Sequence, residues 1–256
     1  MKKHIPNIFT CLNIATGTFA IAVLIYSIPF VYHPGEEQRN IPHVIWILPL
    51  LCLIFDFADG LAARILNAKS EMGKQLDSLA DLVSFAIYPT VLLIVLIFFD
   101  DFDGTIKGFH LPIFVIPLLL IPICSALRLA KFNVAESSEH FKGLPTPANA
   151  IFLIGIFYIS FKDTFGLTEI RDDLGLVFVW LTVIISSLLL VSNINLFSFK
   201  FSHFKWKGNE MRYLFIIMVI ILAVWLKFAA LAPIIVVYII WSIISNKIWK
   251  WSLPQK

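Results

Sequence analysis

The stretch "DFADGLAARILNAKSEMGKQLDSLADLVSF", residues 56–85, places four aspartates within what otherwise reads as two membrane-spanning helices. An ionised Asp near the centre of such a helix costs about 2.5–3.5 kcal/mol, so four together require an explanation. Asp56 and Asp59 are three residues apart and Asp77 and Asp81 are four apart, so each pair lies on one helical face. A short loop makes the two helices antiparallel neighbours with their acidic ends on the same side. The spacing therefore predicts that all four carboxylates converge.

Converging carboxylates with a total charge of about -4 are suited to two divalent cations, and oxygen ligands favour hard ions such as Mg²⁺ or Mn²⁺. Gly60 and Ala63 keep the first helix small beside the acids, and Arg64 adds a fixed positive charge. This pattern suits a flat, phosphorylated ligand lying against the helix. Gly73, four residues before Asp77, gives similar clearance or simply ends the loop.

The rest of the chain is strongly apolar. Of its 256 residues, 59% are hydrophobic and 14% charged, and the mean hydropathy of +0.87 indicates an integral membrane protein. No polar stretch is long enough for a separate core, so we expect residues 1–256 to form one all-α transmembrane domain with its motif at 56–81. We predict about eight spans, with six or seven as alternatives because the fifth is short and the last two are separated only by "AALAP". The predicted spans are roughly 9–31, 42–66, 76–99, 110–130, 146–162, 174–194, 212–228 and 230–247. The first is too long for a removable signal peptide.

The distribution of basic residues predicts the orientation. With the N-terminus inside and eight crossings, 15 of the 20 Lys and Arg residues fall on the cytoplasmic side, as the positive-inside rule requires. We therefore expect a bacterial-type inner (cytoplasmic) membrane protein with both termini and the acidic site facing the cytoplasm. Its partners should be lipid and small molecules, and no nucleic acid is expected.

Two alternatives to a metal site remain open from the residues alone. The acids form either a buried charge network with Arg64, Lys69 and Lys74 or a cation or proton pathway. The first requires a balance of charge that one Arg at comparable depth does not provide. The second gives no reason for the small residues and the Arg that follow Asp59.

The complete string is D-x2-D-G-x2-A-R-x8-G-x3-D-x3-D, and it resembles the defining motif of the CDP-alcohol phosphatidyltransferases, membrane enzymes that displace CMP from a CDP-linked lipid with an alcohol. All eight positions are present: Asp56, Asp59, Gly60, Ala63, Arg64, Gly73, Asp77 and Asp81. Further blocks resemble the phosphatidylserine synthase branch: "IPNIFTCLNIATG" at 5–17, "LADLVSFAIYP" at 79–89, "ALRLAKFNV" at 126–134, "FKGLPTPANA" at 141–150 and "VSNINLFSFK" at 191–200. The chain departs from the commoner family residues at Ala86, where glycine is usual, and at Asn149, where alanine is usual.

The resemblance implies a reaction in which CDP-diacylglycerol and L-serine give phosphatidylserine and CMP. It implies that Asp56, Asp59 and Asp77 hold one metal, with Asp81 shared toward a second. Asp81 would also be the general base for the serine hydroxyl. The residues that would face the CDP-lipid are Asp59, Gly60, Ala63, Arg64, Gly73, Asn13 and Thr16. The family also implies a homodimer.

The acceptor pocket needs a cation for the serine carboxylate. We predict Arg128 for that role, with Asn133 and Lys142 beside it, although basic residues at the end of a span also snorkel to the interface. Asn13 and Thr16 share a face of the first span, where polar residues also serve as interhelical hydrogen-bonding groups. Other acceptors, glycerol 3-phosphate or inositol phosphate, are anionic and should require more basic residues than this pocket offers.

Overall fold

The computed structural model describes residues 4–31, 43–68, 70–100, 115–134, 143–162, 173–194, 196, 206 and 209–248. Within these ranges the chain is helical and contains no strand, which confirms the predicted all-α fold. The helices are α1 (Ile5–Val31), α2 (Val44–Ile65), α3 (Glu71–Leu82), α4 (Tyr88–Asp100), α5 (Leu120–Val134), α6 (Thr146–Lys162), α7 (Asp173–Val191), α8 (Glu210–Leu226) and α9 (Leu231–Ile248). Three short segments complete them: a π-helical turn, Val83–Ile87, between α3 and α4, and 3₁₀ turns at Ile116–Leu119 and Lys227–Ala230.

Apolar length identifies the membrane-crossing segments. Five described stretches are long and apolar enough to cross a bilayer, and α6 and most of α7 are shorter apolar helices. The five stretches are Ile5–Ser27, Val44–Ile65, Glu71–Ile97, Ile116–Val134 and Glu210–Ile244. Together with the two shorter helices they fall on the predicted apolar segments, so the chain is a polytopic integral membrane protein.

The last of these stretches is a hairpin of two helices. The backbone leaves the helical region at Lys227, where φ is 52°. Beyond this break, Tyr238 and Trp241 of α9 pack against Phe215 of α8, with ring centroids 6.0 and 6.4 Å away. In one straight helix, Phe215 and Tyr238 would be about 34 Å apart at 1.5 Å per residue. The two helices are therefore antiparallel, as the prediction of separate seventh and eighth spans requires.

The core lies between α1, α2, α4, α6 and α7. Leu92, Leu93, Phe157 and Val183 are fully buried in one cluster that joins these helices. The Tyr88 hydroxyl donates a hydrogen bond to the backbone carbonyl of Ile45 at 2.8 Å, which fixes the start of α4 against α2. Helix α1 packs against both α2 and α3 and so holds their aspartates near each other.

The helix that follows the loop begins at a defined cap. The Ser70 hydroxyl accepts a hydrogen bond from the Gly73 backbone N–H at 3.0 Å, and Glu71 lies in the first turn, where its charge favours the helix dipole. The helix continues through the π turn, where the Tyr88 N–H reaches the Val83 carbonyl. Such turns are frequent at functional sites. Asp77 and Asp81 therefore lie on a helix that has a hydrogen-bonded cap at its N-terminal end and a π-helical turn directly after its C-terminal end.

Candidate active site

The acid cluster is formed by α2 and α3. One carboxylate oxygen from each of Asp56, Asp59 and Asp77 lies within 4.8 Å of the others. Asp59 is buried, whereas Asp56 and Asp77 are half-buried. Side chains three and four residues apart on two antiparallel helices converge as the spacing predicts. The structure thus brings three of the four predicted ligands together.

Asp81 stands at the edge of this cluster. It lies within hydrogen-bonding range of Asp56, and Asp77 is close enough to repel it electrostatically. Its Oδ1 atom is buried and has no hydrogen-bond partner among the described residues. Asp81 is therefore connected to the cluster while one of its oxygens remains available.

Arg128 lies on α5, which packs against α3. It interacts electrostatically with Asp81, and its terminal nitrogen donates a hydrogen bond to the Thr146 hydroxyl of α6 at 3.0 Å. Its Nε atom is buried without a hydrogen-bond partner in the described part of the chain. The guanidinium is thus held next to Asp81 with one donor still free, as a carboxylate-binding role requires.

Helix α1 contributes a polar face to the cluster. The Thr10 hydroxyl lies 2.7 Å from Asp59 Oδ2 and 3.1 Å from the Pro6 carbonyl of its own helix. Asn13, one turn further along, is fully buried, and neither atom of its side-chain amide has a partner among the residues described. Thr16 is half-buried and lies further along the helix, about 120° around the helix axis from Thr10.

Small residues beside the acids leave room on one side of α2. A Cβ atom added to Gly60 would meet no heavy atom within 4 Å, so open space adjoins Asp59. Ala63 is half-buried and Arg64 is exposed one turn later. Gly73 differs, because a Cβ there would lie 3.0 Å from Ser70 Oγ and 3.1 Å from Asn7 Oδ1. Gly73 therefore allows the close approach of α1 to the cap of α3.

Asn133, another predicted acceptor residue, contacts α3. The Asn133 side-chain amide donates to Ser78 Oγ at 2.8 Å and Gln75 Oε1 at 3.2 Å, and its backbone carbonyl accepts from Lys74 Nζ at 2.7 Å. These bonds tie the end of α5 to α3. The side-chain Oδ1 of Asn133 is buried without a partner among the described residues, so its predicted role toward serine stays a prediction. Lys142 lies outside the described residues.

Comparison with known proteins agrees with this arrangement. Residues 3–188 match the family described as CDP-alcohol phosphatidyltransferase. The chain belongs to this family. The matched region contains α1 to α6 and most of α7, and so every described residue of the site.

Among curated proteins, three CDP-diacylglycerol–serine O-phosphatidyltransferases are similar to this CDP-alcohol phosphatidyltransferase family member. The protein of Mycobacterium leprae is 34% identical over 170 residues, which cover 63% of this chain and 48% of that protein. The protein of Saccharomyces cerevisiae is 37% identical over 165 residues, covering 60% and 54%. The protein of Bacillus subtilis is 35% identical over 154 residues, covering 59% and 74%. The chain spans about half the length of the first two relatives.

The donor set of this family member fits a divalent cation. Opposite oxygen ligands of Mg²⁺ at about 2.1 Å are about 4.2 Å apart, close to the 4.8 Å limit within which the three carboxylate oxygens lie. Four carboxylates against the single guanidinium of Arg128 leave negative charge that a hard cation neutralises. The residues present therefore suit Mg²⁺ or Mn²⁺, although they do not distinguish between them.

Two polar residues that contact the predicted site residues had no role assigned from the sequence. Thr10 bonds to Asp59, and Thr146 bonds to Arg128. Thr10 has a recognisable signal, because Asn7, Thr10 and Asn13 recur every three residues along an apolar helix. Thr146 has no such sequence signal, since it follows a Pro-containing loop and its position indicates only the start of a helix.

Proposed function

We propose that the chain transfers the phosphatidyl group of CDP-diacylglycerol to the hydroxyl of L-serine, giving phosphatidylserine and CMP. The observation that carries the proposal is the acid cluster of Asp56, Asp59 and Asp77 with Asp81 and Arg128 at its edge. Names of the relatives from M. leprae, S. cerevisiae and B. subtilis support serine as the acceptor.

In this reaction the serine oxygen forms a bond to the lipid-bearing phosphorus, and the bond from that phosphorus to CMP breaks. Asp81 is the proposed general base, because its free Oδ1 can accept the proton of the serine hydroxyl. The guanidinium of Arg128 binds the serine carboxylate and keeps the hydroxyl near Asp81. The space beside Gly60 admits the nucleotide, and Arg64 binds its phosphate.

Two divalent cations, held by Asp56, Asp59 and Asp77 and shared with Asp81, are part of the proposal. When bound, they neutralise charge on the diphosphate and on the departing CMP. The chain's own contribution is to hold the carboxylates at converging positions and to orient Asp59 through Thr10.

The assay uses the full chain in detergent–lipid micelles with CDP-diacylglycerol, labelled L-serine and either Mg²⁺ or Mn²⁺. We expect release of CMP with formation of phosphatidylserine, and a decrease of about 100-fold to 10,000-fold in turnover for Asp81→Asn. Glu71→Gln is the matched control, since Glu71 is an exposed acid on the same helix. Equal turnover of wild type and Asp81→Asn would remove the general-base role.

An acceptor panel distinguishes serine from the anionic alternatives. L-Serine, glycerol 3-phosphate and inositol phosphate are compared at equal concentrations. Preference for an anionic acceptor would contradict the proposal, and the absence of CMP release with any acceptor would refute the enzymatic activity. Ion flux in liposomes lacking CDP-lipid would instead favour a transporter.

The proposal also includes the orientation and assembly predicted from the sequence. The active site and both termini face the cytoplasm of a bacterial-type inner membrane, and two copies form a homodimer. In a variant whose native cysteines are replaced by Ala, labelling of Glu71→Cys from either side of sealed vesicles tests the orientation, because Glu71 is exposed at the start of α3, next to the loop. Mass measurement in detergent tests the dimer.

A further inference from the structure

Two fully buried polar side chains behind the acid cluster lack hydrogen-bond partners. Both the nitrogen and the oxygen of the Asn149 side-chain amide, and the Oγ atom of Ser125, are unpaired among the residues that the structure describes. Both residues have 0% exposure. Buried polar groups in folded proteins are normally hydrogen-bonded, so these atoms point to a ligand that completes them.

Asn149 lies near the acids by its position on α6. Thr146, three residues earlier on nearly the same face, accepts the hydrogen bond from Arg128. Ala150, the next residue, packs in a cluster with Cys52 and Phe85. Contacts on both sides of Asn149 along the helix therefore connect it to the site.

The level of Asn149 follows from these contacts. Cys52 is one turn before Asp56 on α2, and Phe85 is about one turn after Asp81 along the chain. Ala150 therefore lies about one turn deeper in the bundle than the acids, whereas Thr146 lies at the level of Arg128. Asn149 lies between these two levels.

Ser125 lies on α5 one turn deeper than Arg128, a level comparable to that of Asn149 on α6. It is three residues before Arg128, and so on a neighbouring part of the same helical face. Helices α5 and α6 each pack against the π turn and against α7. The two helices thus share these neighbours, and the Arg128 side chain bridges the interval between them to Thr146. We call Ser125 and Asn149 the floor residues.

We propose that the floor residues recognise the α-ammonium group of an amino-acid acceptor, with Asn149 adding a hydrogen-bond acceptor that the alanine usual at this position lacks. This inference rests on the proposed function and names residues that bind the amino-acid substrate of that reaction. Arg128 offers its free Nε to the carboxylate, and Asp81 offers its free Oδ1 to the hydroxyl. The ammonium group, with three donors, then needs acceptors, and the floor provides the Asn149 Oδ1 and Ser125 Oγ atoms. Neutral acceptors bind it without adding a fifth acid to the cluster.

The test compares two inhibitors that differ in the ammonium group. L-Alanine retains the ammonium and carboxylate of serine, whereas 3-hydroxypropionate lacks the ammonium. For Asn149→Ala we expect the KM for L-serine and the Ki of L-alanine to rise about 10-fold to 150-fold, as loss of a hydrogen bond to a charged group predicts. The Ki of 3-hydroxypropionate and the KM for CDP-diacylglycerol should stay within about twofold of wild type. Ser125→Ala should raise the same two constants by a smaller amount, about threefold to tenfold, and leave the other two unchanged.

Thr90→Ala is the matched control for the loss of a buried polar group. Thr90 is 4% exposed, and its hydroxyl donates a hydrogen bond at 2.7 Å to the Ala86 carbonyl, four residues earlier in the chain. We expect unchanged KM and Ki values for this control. If Asn149→Ala does not fold, as judged by its thermal midpoint in detergent, the Ser125→Ala comparison decides the outcome.

The possible failures are distinguishable. An active wild type whose floor variants raise the Ki of both inhibitors equally, or of neither, overturns the role of the floor residues and leaves the proposed function intact. A wild type that releases no CMP with L-serine refutes the proposed function itself.

Discussion

The hydrogen bond from Thr10 to Asp59 gives the sharpest test of how α1 supports the site. The hydroxyl has one proton and two acceptors, Asp59 Oδ2 at 2.7 Å and the Pro6 carbonyl at 3.1 Å. Because the carboxylate is closer and charged, it accepts the hydrogen bond from the hydroxyl. Thr10→Val keeps the shape of the side chain and removes this bond.

The magnitude follows from the kind of bond that is lost. A hydrogen bond to a charged group contributes about 1.5–3 kcal/mol, which corresponds to about 10-fold to 150-fold in an equilibrium constant. Removing a group that orients a metal-binding residue costs about 10-fold to 100-fold in affinity or activity. We therefore expect Thr10→Val to raise the Mn²⁺ concentration that gives half-maximal CMP release by about 10-fold to 100-fold.

The assay is a Mn²⁺ titration of CMP release at saturating CDP-diacylglycerol and L-serine, with Thr10→Ser as the control that retains the hydroxyl. Thr10→Ser should stay near the wild-type curve, since Thr10 is 3% exposed and the hydroxyl alone reaches Asp59. If the titration curves of Thr10→Val and wild type coincide, Thr10 does not orient Asp59 and the reasoning is wrong.

Three glycines provide further predictions that separate stability from substrate binding. Gly17→Ala should lower the free energy of unfolding by about 1–3 kcal/mol, because the new Cβ would lie 2.3 Å from Ser84 Oγ; thermal unfolding in detergent measures this. Gly155→Ala should destabilise by a similar amount, since its Cβ would lie 2.3 Å from the Ala232 backbone nitrogen, and an unchanged thermal midpoint would show that α6 and α9 are not in tight contact. Gly60→Ala should leave the thermal midpoint unchanged because no atom lies within 4 Å, yet raise the KM for CDP-diacylglycerol; an unchanged KM would place the nucleotide elsewhere.

The spacing of residues along a helix and the length of apolar segments predicted much of this fold, because both depend only on residues that are close together in the sequence. The apolar segments predicted the helices, and the spacing of Asp56, Asp59 and Asp77 predicted their convergence, since three and four residues make one helical face. The hairpin at Lys227 was harder to predict. The stretch around it is apolar apart from Lys227, and its break depends on a positive φ and on packing of the two helices against each other.

Contacts between helices distant in sequence were not predictable in this way. The side chains of Arg128 and Thr146 lie on separate helices, and no local sequence pattern predicts the hydrogen bond between them. The same holds for Ser84, whose hydroxyl donates to the Asn13 carbonyl at 3.2 Å. Such partners depend on how helices pack, which the order of residues along a single helix does not specify.

The π turn at Val83–Ile87 divides one membrane span into two helical segments whose faces are rotated relative to each other. One extra residue in a turn rotates everything after it by about 100° relative to an uninterrupted α-helix. The face of α3 that presents Asp77 and Asp81 is therefore not continuous with the face of α4 that buries Tyr88 and Leu92 in the core. Deleting one residue of the turn would leave the apolar length and composition of the span almost unchanged, while turning the acids away from α2. For this protein, the ability to insert in a membrane and the ability to assemble the acid cluster are thus separable properties of the same helix.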